Sequence, residues 1–177
     1  VVNGIIGLLA TGGSTNHTIH LIAIARAAGI IINWDDMSDL SAIVPLITHM
    51  YPNGAADVNH FHAAGGMGFV IRTLLDNNLL HEDVQTIIGK GMRAYTQEPK
   101  IQNGTLVWQE GATQSLNLSI IRPASEPFTA DGGIKLLKGN LGRAVIKTAA
   151  VAPEHRVVEA PAIVFYEQAD LIAAFKR

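Results

Sequence analysis

Two adjacent glycines, Gly12 and Gly13, separate two apolar stretches within the first 28 residues of the chain. Residues 1–9 are mostly apolar, and the glycines that follow interrupt the pattern. The next three residues, 14–16, are Ser, Thr and Asn, which are favoured at helix N-caps. The sequence therefore predicts a helix, a tight turn and a second helix that runs to Ala28.

The second helix carries apolar residues around most of its circumference, which predicts that it is buried. Gly29 is expected to end it, and the β-branched run 30–32 that follows is typical of a short buried strand. Asp35 and Asp36 are expected to begin another helix through Leu40, with Pro45 interrupting the pattern.

A second glycine cluster at residues 65–68 is expected to precede a helix that continues to Asn77 and Asn78. A short strand or extended piece is expected over 84–88, and helix again over 90–96. Residues 97–131 contain three prolines and several polar residues. We interpret them as a connecting segment.

The pattern changes after residues 132 and 133, both glycine, where short β-favouring runs alternate with Gly, Pro and polar turns. These runs cover 134–137, 144–146, 157–158 and 162–165. A final helix is predicted over 167–176. Four short runs and one helix are too few for an independent domain, so this second unit is expected to be incomplete.

Composition excludes several classes of function. Hydrophobic residues make up 48% of the 177 residues and charged residues only 16%, against about 25% charged residues in typical soluble domains. This composition predicts surface that something else covers. No apolar run reaches the length of a membrane span. A membrane is therefore not an expected partner. The net charge of -2 gives no basic footprint, so a nucleic acid is not expected either.

The turn itself is the leading candidate for a binding site. Free N–H groups and the positive end of a helix dipole favour a phosphate or carboxylate at such a position. A purely structural role, in which Ser14 only caps the second helix, remains an alternative. The spacing matches neither a Walker loop nor the dinucleotide-binding glycine pattern.

Histidine, lysine and aspartate supply the other candidate groups. His17 and His20 would share a helix face, whereas His60 and His62 would share a face only on a strand, and neither pair has a third metal ligand at a suitable spacing. No metal site is therefore predicted. His62 is the candidate for proton transfer. Lys147 lies in an apolar run and could bind an anion, although such a side chain more often extends to solvent. The two aspartates at 35 and 36 are interpreted as a helix start.

Three segments carry a family resemblance. Residues 10–16 (ATGGSTN), followed by His20 and Leu21, resemble the glycine-turn signature of the dihydroxy-acid dehydratase and 6-phosphogluconate dehydratase family. Residues 52–67 (PNGAADVNHFHAAGGM) are similar to the branch of that family that acts on 6-phosphogluconate. Residues 139–147 (GNLGRAVIK) resemble the stretch that opens the family's C-terminal β-barrel domain. The segments match in order across essentially the whole chain.

The resemblance implies a lyase of the Entner–Doudoroff pathway that converts 6-phospho-D-gluconate to 2-dehydro-3-deoxy-6-phosphogluconate and water. It also implies an iron–sulfur cluster, a divalent metal such as magnesium, and a base that removes the proton next to the carboxylate. Hydroxide is a poor leaving group and that proton is weakly acidic, so electrophiles must stabilise both developing charges.

The resemblance further implies that this chain is an internal piece of a longer enzyme and is inactive alone. It has no cysteine for a cluster, and the resemblance places the remaining metal carboxylate in the barrel beyond this segment, so the chain is expected to bind neither the cluster nor the metal by itself. The expected fold class is α/β. Residues 1–100 would be the end of a mainly helical α/β domain, 101–132 a connecting segment, and 133–177 the first part of a β-barrel-like domain.

The expected substrate-binding residues follow from the same motifs. They comprise the glycine turn and one lysine of the second unit: Thr11, Gly12, Gly13, Ser14, Thr15, Asn16 and Lys147. The expected partner is a small phosphosugar acid, and family membership implies a cytoplasmic homodimer. Two alternatives stay open, namely a dehydratase of another sugar acid or dihydroxy acid, and a non-catalytic module that binds an anion or a protein partner through its apolar surface.

Overall fold

The computed structural model of the chain describes residues 1–176. Arg177, which follows the predicted final helix, lies outside the described residues. Six α-helices and three two-stranded antiparallel sheets make up its regular structure. The α/β class is confirmed in this coarse form, since helices and small sheets are mixed and no barrel closes within residues 1–176.

The helices belong mainly to the first half of the chain. They are α1 (Val2–Thr11), α2 (Thr15–Ala27), α3 (Trp34–Ser41), α4 (Val58–Ala63), α5 (Gly66–Asp76) and, near the end, α6 (Gln168–Phe175). The strands form three hairpins: β1 (Gln85–Thr86) with β2 (Gly89–Lys90), β3 (Gln97–Gln102) with β4 (Thr105–Glu110), and β5 (Ile134–Gly139) with β6 (Gly142–Lys147). Three short 3-10 helices cover Arg93–Thr96, Thr148–Ala150 and Pro153–His155.

Helix α1 lies at the centre of the hydrophobic core. Five residues of α1 between Ile5 and Ala10 are at most 5% exposed, because α2 and α3 both pack against the helix. Helix α5 contributes the apolar face that its spacing predicted. The core is completed by residues from the loops and from β5, among them Val44, Ile47, Ile121 and Ile134.

An extended segment over 44–50 connects α1 to the second half of the chain. The Ile47 N–H donates to the Ala10 carbonyl at 2.9 Å, and the Ile47 carbonyl accepts from the Arg122 N–H at 2.8 Å. Isolated bridges pair Leu46 with Thr129 and Thr48 with Ile121. The end of α1 and the segment around Arg122 are therefore both bonded to this central segment.

Several predictions about the first half were correct. Helices form on both sides of the glycine turn, after residue 33 and from Gly66, which lies within the second glycine cluster. The cap of α3 is Asn33 rather than an aspartate, and the Asp36 carboxylate completes a capping box by accepting from the Asn33 N–H at 2.8 Å. The predicted extended piece near 84–88 is the β1–β2 hairpin, and the predicted helix over 90–96 is only a 3-10 helix from Arg93.

The predicted burial of α2 and of the run 30–32 was wrong. Ile19 and Ile24 on α2 are each 60% exposed, because only the side that carries Thr18, Leu21 and Ala25 contacts the rest of the chain. No strand forms at residues 30–32, and Ile31 is 75% exposed. A short β-branched run needs a neighbouring strand to pair with, and the described residues provide none there.

Within the described residues, the second half has one hairpin that the sequence patterns did not predict and lacks two strands that they did. The segment interpreted as connecting, 97–131, contains the β3–β4 hairpin, whose strands pair from Gln97 with Glu110 to Gln102 with Thr105. Conversely, no strand forms at residues 157–158 or 162–165, where Val158 is 80% and Ile163 78% exposed. The runs at 134–137 and 144–146 do form strands, because they pair with each other.

Candidate functional site

The glycine turn joins α1 to α2 in a conformation that requires glycine. Gly12 has φ 60° and ψ 37°, in the left-handed region. The Gly12 and Gly13 N–H groups donate to the Leu9 and Leu8 carbonyls at 3.2 and 3.0 Å, which satisfies the end of α1. A Cβ at Gly12 would overlap the side-chain amide of Asn53. Both the backbone angle and the close packing thus favour glycine at this position.

The first turn of α2 leaves backbone donors free. The Ser14 side chain accepts from the His17 N–H at 3.4 Å, so the predicted N-cap is confirmed as a long contact. Among the residues that the structure describes, no acceptor bonds to the N–H of Thr15 or Asn16. Ser14, Thr15 and Asn16 are all exposed. This arrangement can accept an anion at the positive end of the helix dipole.

Two side chains from outside the turn fix its position. The Asn53 amide donates to the Gly12 carbonyl at 2.7 Å, and the Thr48 hydroxyl donates to the Thr11 carbonyl at 3.0 Å. The Thr11 hydroxyl donates to the Gly7 carbonyl at 2.7 Å, within its own helix. Thr11 is therefore tied to the helix backbone, whereas the polar side chains of residues 14–16 face outwards.

An apolar cavity of about 370 Å³ lies beside the turn, between α1 and α5. Thr11 and His17 are on its wall together with apolar residues such as Leu8, Met67 and Ile71. Few polar groups line this cavity, so it suits an apolar group better than a phosphosugar. The exposed side of the turn, rather than this cavity, is the better place for a charged ligand.

Lys147 lies at the inner end of β6, opposite Ile134 in the hairpin register. Its ammonium is buried and, within residues 1–176, has no hydrogen-bond partner. This burial lowers the pKa of Lys147 below its usual value. The alternative that this side chain extends to solvent does not hold. No hydrogen bond in the described part of the chain connects it to the glycine turn.

The predicted histidines do not gather into one site. His60 and His62 both lie on α4, so residues two apart point in different directions rather than to one strand face. His60 belongs to a capping box, and its backbone N–H, bonded to the Asp57 carboxylate at 2.9 Å, is the main cause of the lowered pKa of Asp57. His62 is exposed, with its Nδ1 next to Gly66.

Sequence reasoning missed Asn53 and Thr48 as residues that hold the turn. Asn53 lies in the 52–67 segment that carries the family resemblance, but no signal there connected it with the turn, and Thr48 lies in an extended segment that carried no motif. An asparagine in a turn most often bonds to its own backbone. Its partner here is 41 residues away, which only the tertiary structure brings near.

Comparison with known protein families decides the relationship of the chain. Residues 1–95 match the family described as dihydroxy-acid/6-phosphogluconate dehydratase N-terminal, and residues 119–177 match the corresponding C-terminal family. The chain belongs to the dihydroxy-acid/6-phosphogluconate dehydratase family.

Curated members of this dehydratase family align along nearly the whole chain. A phosphogluconate dehydratase of Pseudomonas aeruginosa is 61% identical and one of Escherichia coli strain K12 is 60% identical, each over 99% of the chain. A dihydroxy-acid dehydratase of Sulfurisphaera tokodaii is 37% identical over 97% of it. The chain spans about 29% of the length of each of these relatives.

The cofactors that the dehydratase resemblance implied do not fit the residues of this chain. It has no cysteine to supply thiolate ligands to a cluster. Between residues 1 and 176, the His, Asp and Glu side chains form no group of three that could hold a metal ion.

Within the same residues, no helix combines the length and the apolarity needed to span a membrane.

Proposed function

We propose that the longer protein containing this chain is a hydro-lyase that dehydrates 6-phospho-D-gluconate to 2-dehydro-3-deoxy-6-phosphogluconate, the Entner–Doudoroff reaction. The single observation that carries the proposal is the identity pattern. Relatives named phosphogluconate dehydratase are 61% and 60% identical over 99% of the chain, against 37% for the dihydroxy-acid dehydratase. Segments that contact the substrate are expected to be more similar between enzymes that act on the same substrate. The higher identity to the phosphogluconate dehydratases therefore favours the phosphosugar acid as substrate.

In this proposal the glycine turn lines the substrate cleft. The turn supplies the six predicted substrate-binding residues, 11–16, and the free N–H groups of Thr15 and Asn16 face oxygen atoms of the substrate. The exposed Ser14 and Thr15 hydroxyls add two further donors. Hydrogen bonds from Asn53 and Thr48 hold these donors in place before the substrate binds, which reduces the entropic cost of binding.

Lys147 is proposed as a second contact for an acidic group. A buried ammonium without a partner is costly, and pairing with a carboxylate or phosphate oxygen removes that cost. The lowered pKa of Lys147 has the same origin, and an anion beside it would raise the pKa again.

His62 is the residue of this chain proposed for proton transfer, since its imidazole is exposed on α4.

The remaining parts of the proposal concern the longer protein. Residues 1–100 would end its α/β domain, 101–132 would connect, and 133–177 would begin a β-barrel-like domain. The iron–sulfur cluster and a divalent metal such as magnesium would be held by residues outside this chain and would supply the electrophiles for the leaving hydroxyl and the carboxylate. A cytoplasmic homodimer is proposed on the family relationship alone.

The test is kinetic and uses the full-length, cluster-loaded enzyme. Turnover of 6-phosphogluconate, gluconate and a branched-chain dihydroxy acid is compared, and the phosphosugar acid is expected to have the highest kcat/KM. Ser14→Ala with Thr15→Ala is expected to raise the Michaelis constant or lower the turnover number for that substrate about tenfold or more, since each lost bond to a charged group costs about 1.5–3 kcal/mol.

A matched control is Thr86→Ala, because among residues 1–176 its hydroxyl bonds only to the Gly89 carbonyl within the β1–β2 turn. Kinetics that are equal for the double variant and the control would reduce Ser14 to a helix cap. Preferred turnover of the dihydroxy acid would replace the proposed substrate.

One observation favours a second function, a module that binds a protein partner. Large apolar side chains on and beside α2 are exposed, including Ile19, Ile24 and Ile31. Such a surface is typical of a protein contact. If the full-length protein has dehydratase activity that depends on this chain, the exposed apolar surface would contact another part of the same protein. Binding a separate partner would then not be the main function.

A further inference from the structure

Arg122 carries a positive charge that no side chain of the described residues neutralises. Between residues 1 and 176, no carboxylate oxygen lies within 4.0 Å of its guanidinium. The guanidinium lies over the ring of Phe128, 4.3 Å from the ring centroid, and its Nε donates to the Leu118 carbonyl at 3.1 Å. The stacking and this one bond fix the orientation of the planar group and leave four of its five N–H donors available.

His49 approaches the same aromatic ring. Its ring centroid is 5.0 Å from that of Phe128, with an angle of 44° between the planes. The His49 side chain makes no hydrogen bond within the part of the chain that the structure describes, and the residue is exposed. Phe128 thus holds an arginine and a histidine together, and both side chains retain free nitrogen donors.

Two sets of contacts link the cluster of Arg122, Phe128 and His49 to the glycine turn. The His49 imidazole abuts Gly54, where a Cβ would come within 2.9 Å of the ring. Gly54 follows Asn53, whose amide bonds to the Gly12 carbonyl. The central segment makes the second connection, since the Ile47 N–H donates to the Ala10 carbonyl and the Ile47 carbonyl accepts from the Arg122 N–H.

We propose that Arg122 and His49 bind the phosphate group of the substrate. This inference rests on the proposed function, because it divides the phosphosugar acid between two places: the phosphate at the cluster and other oxygens of the substrate at the glycine turn. A guanidinium presents paired donors that match phosphate oxygens, and its planar fork is already oriented here by Phe128. Phe128 is a positioning residue, since it acts through Arg122 and His49.

The experiment again uses the full-length, cluster-loaded enzyme, with two competitive inhibitors as probes. Inorganic phosphate tests the phosphate site alone, and gluconate tests the remainder of the substrate site. Arg122→Gln is expected to raise two quantities about ten- to a hundredfold, the inhibition constant of inorganic phosphate and the Michaelis constant for the phosphosugar acid. The inhibition constant of gluconate should stay within about twofold, because gluconate lacks the group that Arg122 binds.

Further variants separate this role from a structural one. His49→Gln is expected to act in the same direction with a smaller effect, and Arg122→Lys should be intermediate, because the charge remains but the paired donors are lost. Arg26→Gln is the control, since Arg26 is an exposed arginine in the last turn of α2. Line broadening of inorganic phosphate in ³¹P NMR reports binding without turnover, and circular dichroism verifies folding.

Two results would overturn the phosphate site: no inhibition of the unmodified enzyme by inorganic phosphate, or equal increases of the phosphate and gluconate constants in Arg122→Gln. If the unmodified enzyme failed to dehydrate 6-phosphogluconate, the proposed function would fall. In that case ³¹P line broadening that Arg122→Gln abolishes and Arg26→Gln preserves would still support a phosphate site, and broadening that survives in Arg122→Gln would reject it.

Discussion

Residues 1–76 and residues 133–176 both contain many isoleucines, leucines and valines, but the two regions place them in different surroundings. In the first region α1, α3 and α5 bury residues such as Leu9 and Val70 completely. In the second region the β5–β6 hairpin buries Ile134, and beyond Lys147 nearly every residue is exposed.

The difference lies in the availability of partners rather than in composition. A helix satisfies its own backbone and needs only one packed face, so α1, α2 and α3 can assemble within 41 residues. A strand must pair along an edge, and residues 157–165 have no strand beside them in the described chain. The comparison indicates that the second region requires further chain, or another chain, to bury its apolar residues.

The largest expected effect tests the contrast in burial directly. Leu9→Ala should lower the free energy of unfolding of the 177-residue chain by about 2–5 kcal/mol, because Leu9 is fully buried and a cavity would remain. Val158→Ala should change it by less than about 0.5 kcal/mol, because that side chain is 80% exposed. Urea denaturation followed by circular dichroism measures both values. Equal losses would show that residues 157–165 pack as tightly as α1.

A smaller difference is expected between two glycine variants, one in the packed glycine turn and one in an exposed hairpin. Gly12 and Gly104 both have positive φ, 60° and 77°, so alanine at either position should cost about 1–2 kcal/mol in backbone strain. Only at Gly12 would the new Cβ also meet Asn53 and Leu46, whereas Gly104 is in open space. Gly12→Ala should therefore be more destabilising than Gly104→Ala by about 1–3 kcal/mol.

Thermal and urea unfolding of the two glycine variants decide this point. Identical losses would mean that Asn53 moves aside and does not hold the turn. In the full-length enzyme, Gly12→Ala can be compared for kinetics and for stability. A higher Michaelis constant or a lower turnover number with unchanged stability would separate the binding role of the turn from its structural role.

The smallest effect concerns the ion pairs that connect the two regions. Asp35 on α3 bonds to Lys138 at 2.6 Å and also to Arg143, one residue from each strand of the β5–β6 hairpin. The hydrogen bond from Lys138, then that from Arg143, lower the pKa of Asp35 below its ordinary value of 3.8. The stabilisation is thus present above pH 3.8 and is lost as the pH falls through the lower pKa of the folded state.

An acid titration followed by the NMR shifts of the Lys138 and Arg143 side chains checks this prediction. Their transition should occur below pH 3.8 and should be absent in Asp35→Asn. The control is Asp39→Asn on the same helix, since Asp39 forms no ion pair among residues 1–176. Added salt should weaken the effect, because the pairs are exposed. If the NMR shifts of Lys138 and Arg143 changed with pH in the same way in Asp35→Asn, the change would be due to another carboxylate.

Local signals in the sequence predicted much of the fold, and one such signal was overlooked. Residues 12–16 predicted both the turn and the cap of α2, because glycine conformation and N-cap chemistry act within a few residues. Asn103 and Gly104, between Gln102 and Thr105, form the two-residue turn of the β3–β4 hairpin. Asn-Gly strongly favours a hairpin, and the prolines nearby do not outweigh it, since Pro99 lies on a strand of a two-stranded sheet.

The candidate site was predictable only in part. The turn carried a motif, whereas His49 and Arg122 had none and Asn53 belonged to a different motif. These three residues are connected to the turn through bonds and contacts between distant residues. The run at 30–32 failed for the opposite reason, because β propensity records how a residue fits a pleated surface and cannot supply the neighbouring strand. The burial of Lys147 likewise depends on how the β5–β6 hairpin lies against the rest of the chain.

The sequence by itself determined the features that depend on a few adjacent residues: the Gly12 turn, the cap at Ser14, the apolar face of α5 and the membership of the dehydratase family. The tertiary structure alone decided which polar groups meet at the turn, which isoleucines are exposed, and that Arg122 and His49 share Phe128. The physical reason is range. Backbone angles and caps are set within one turn of chain, whereas burial and unpaired charge depend on everything that packs nearby.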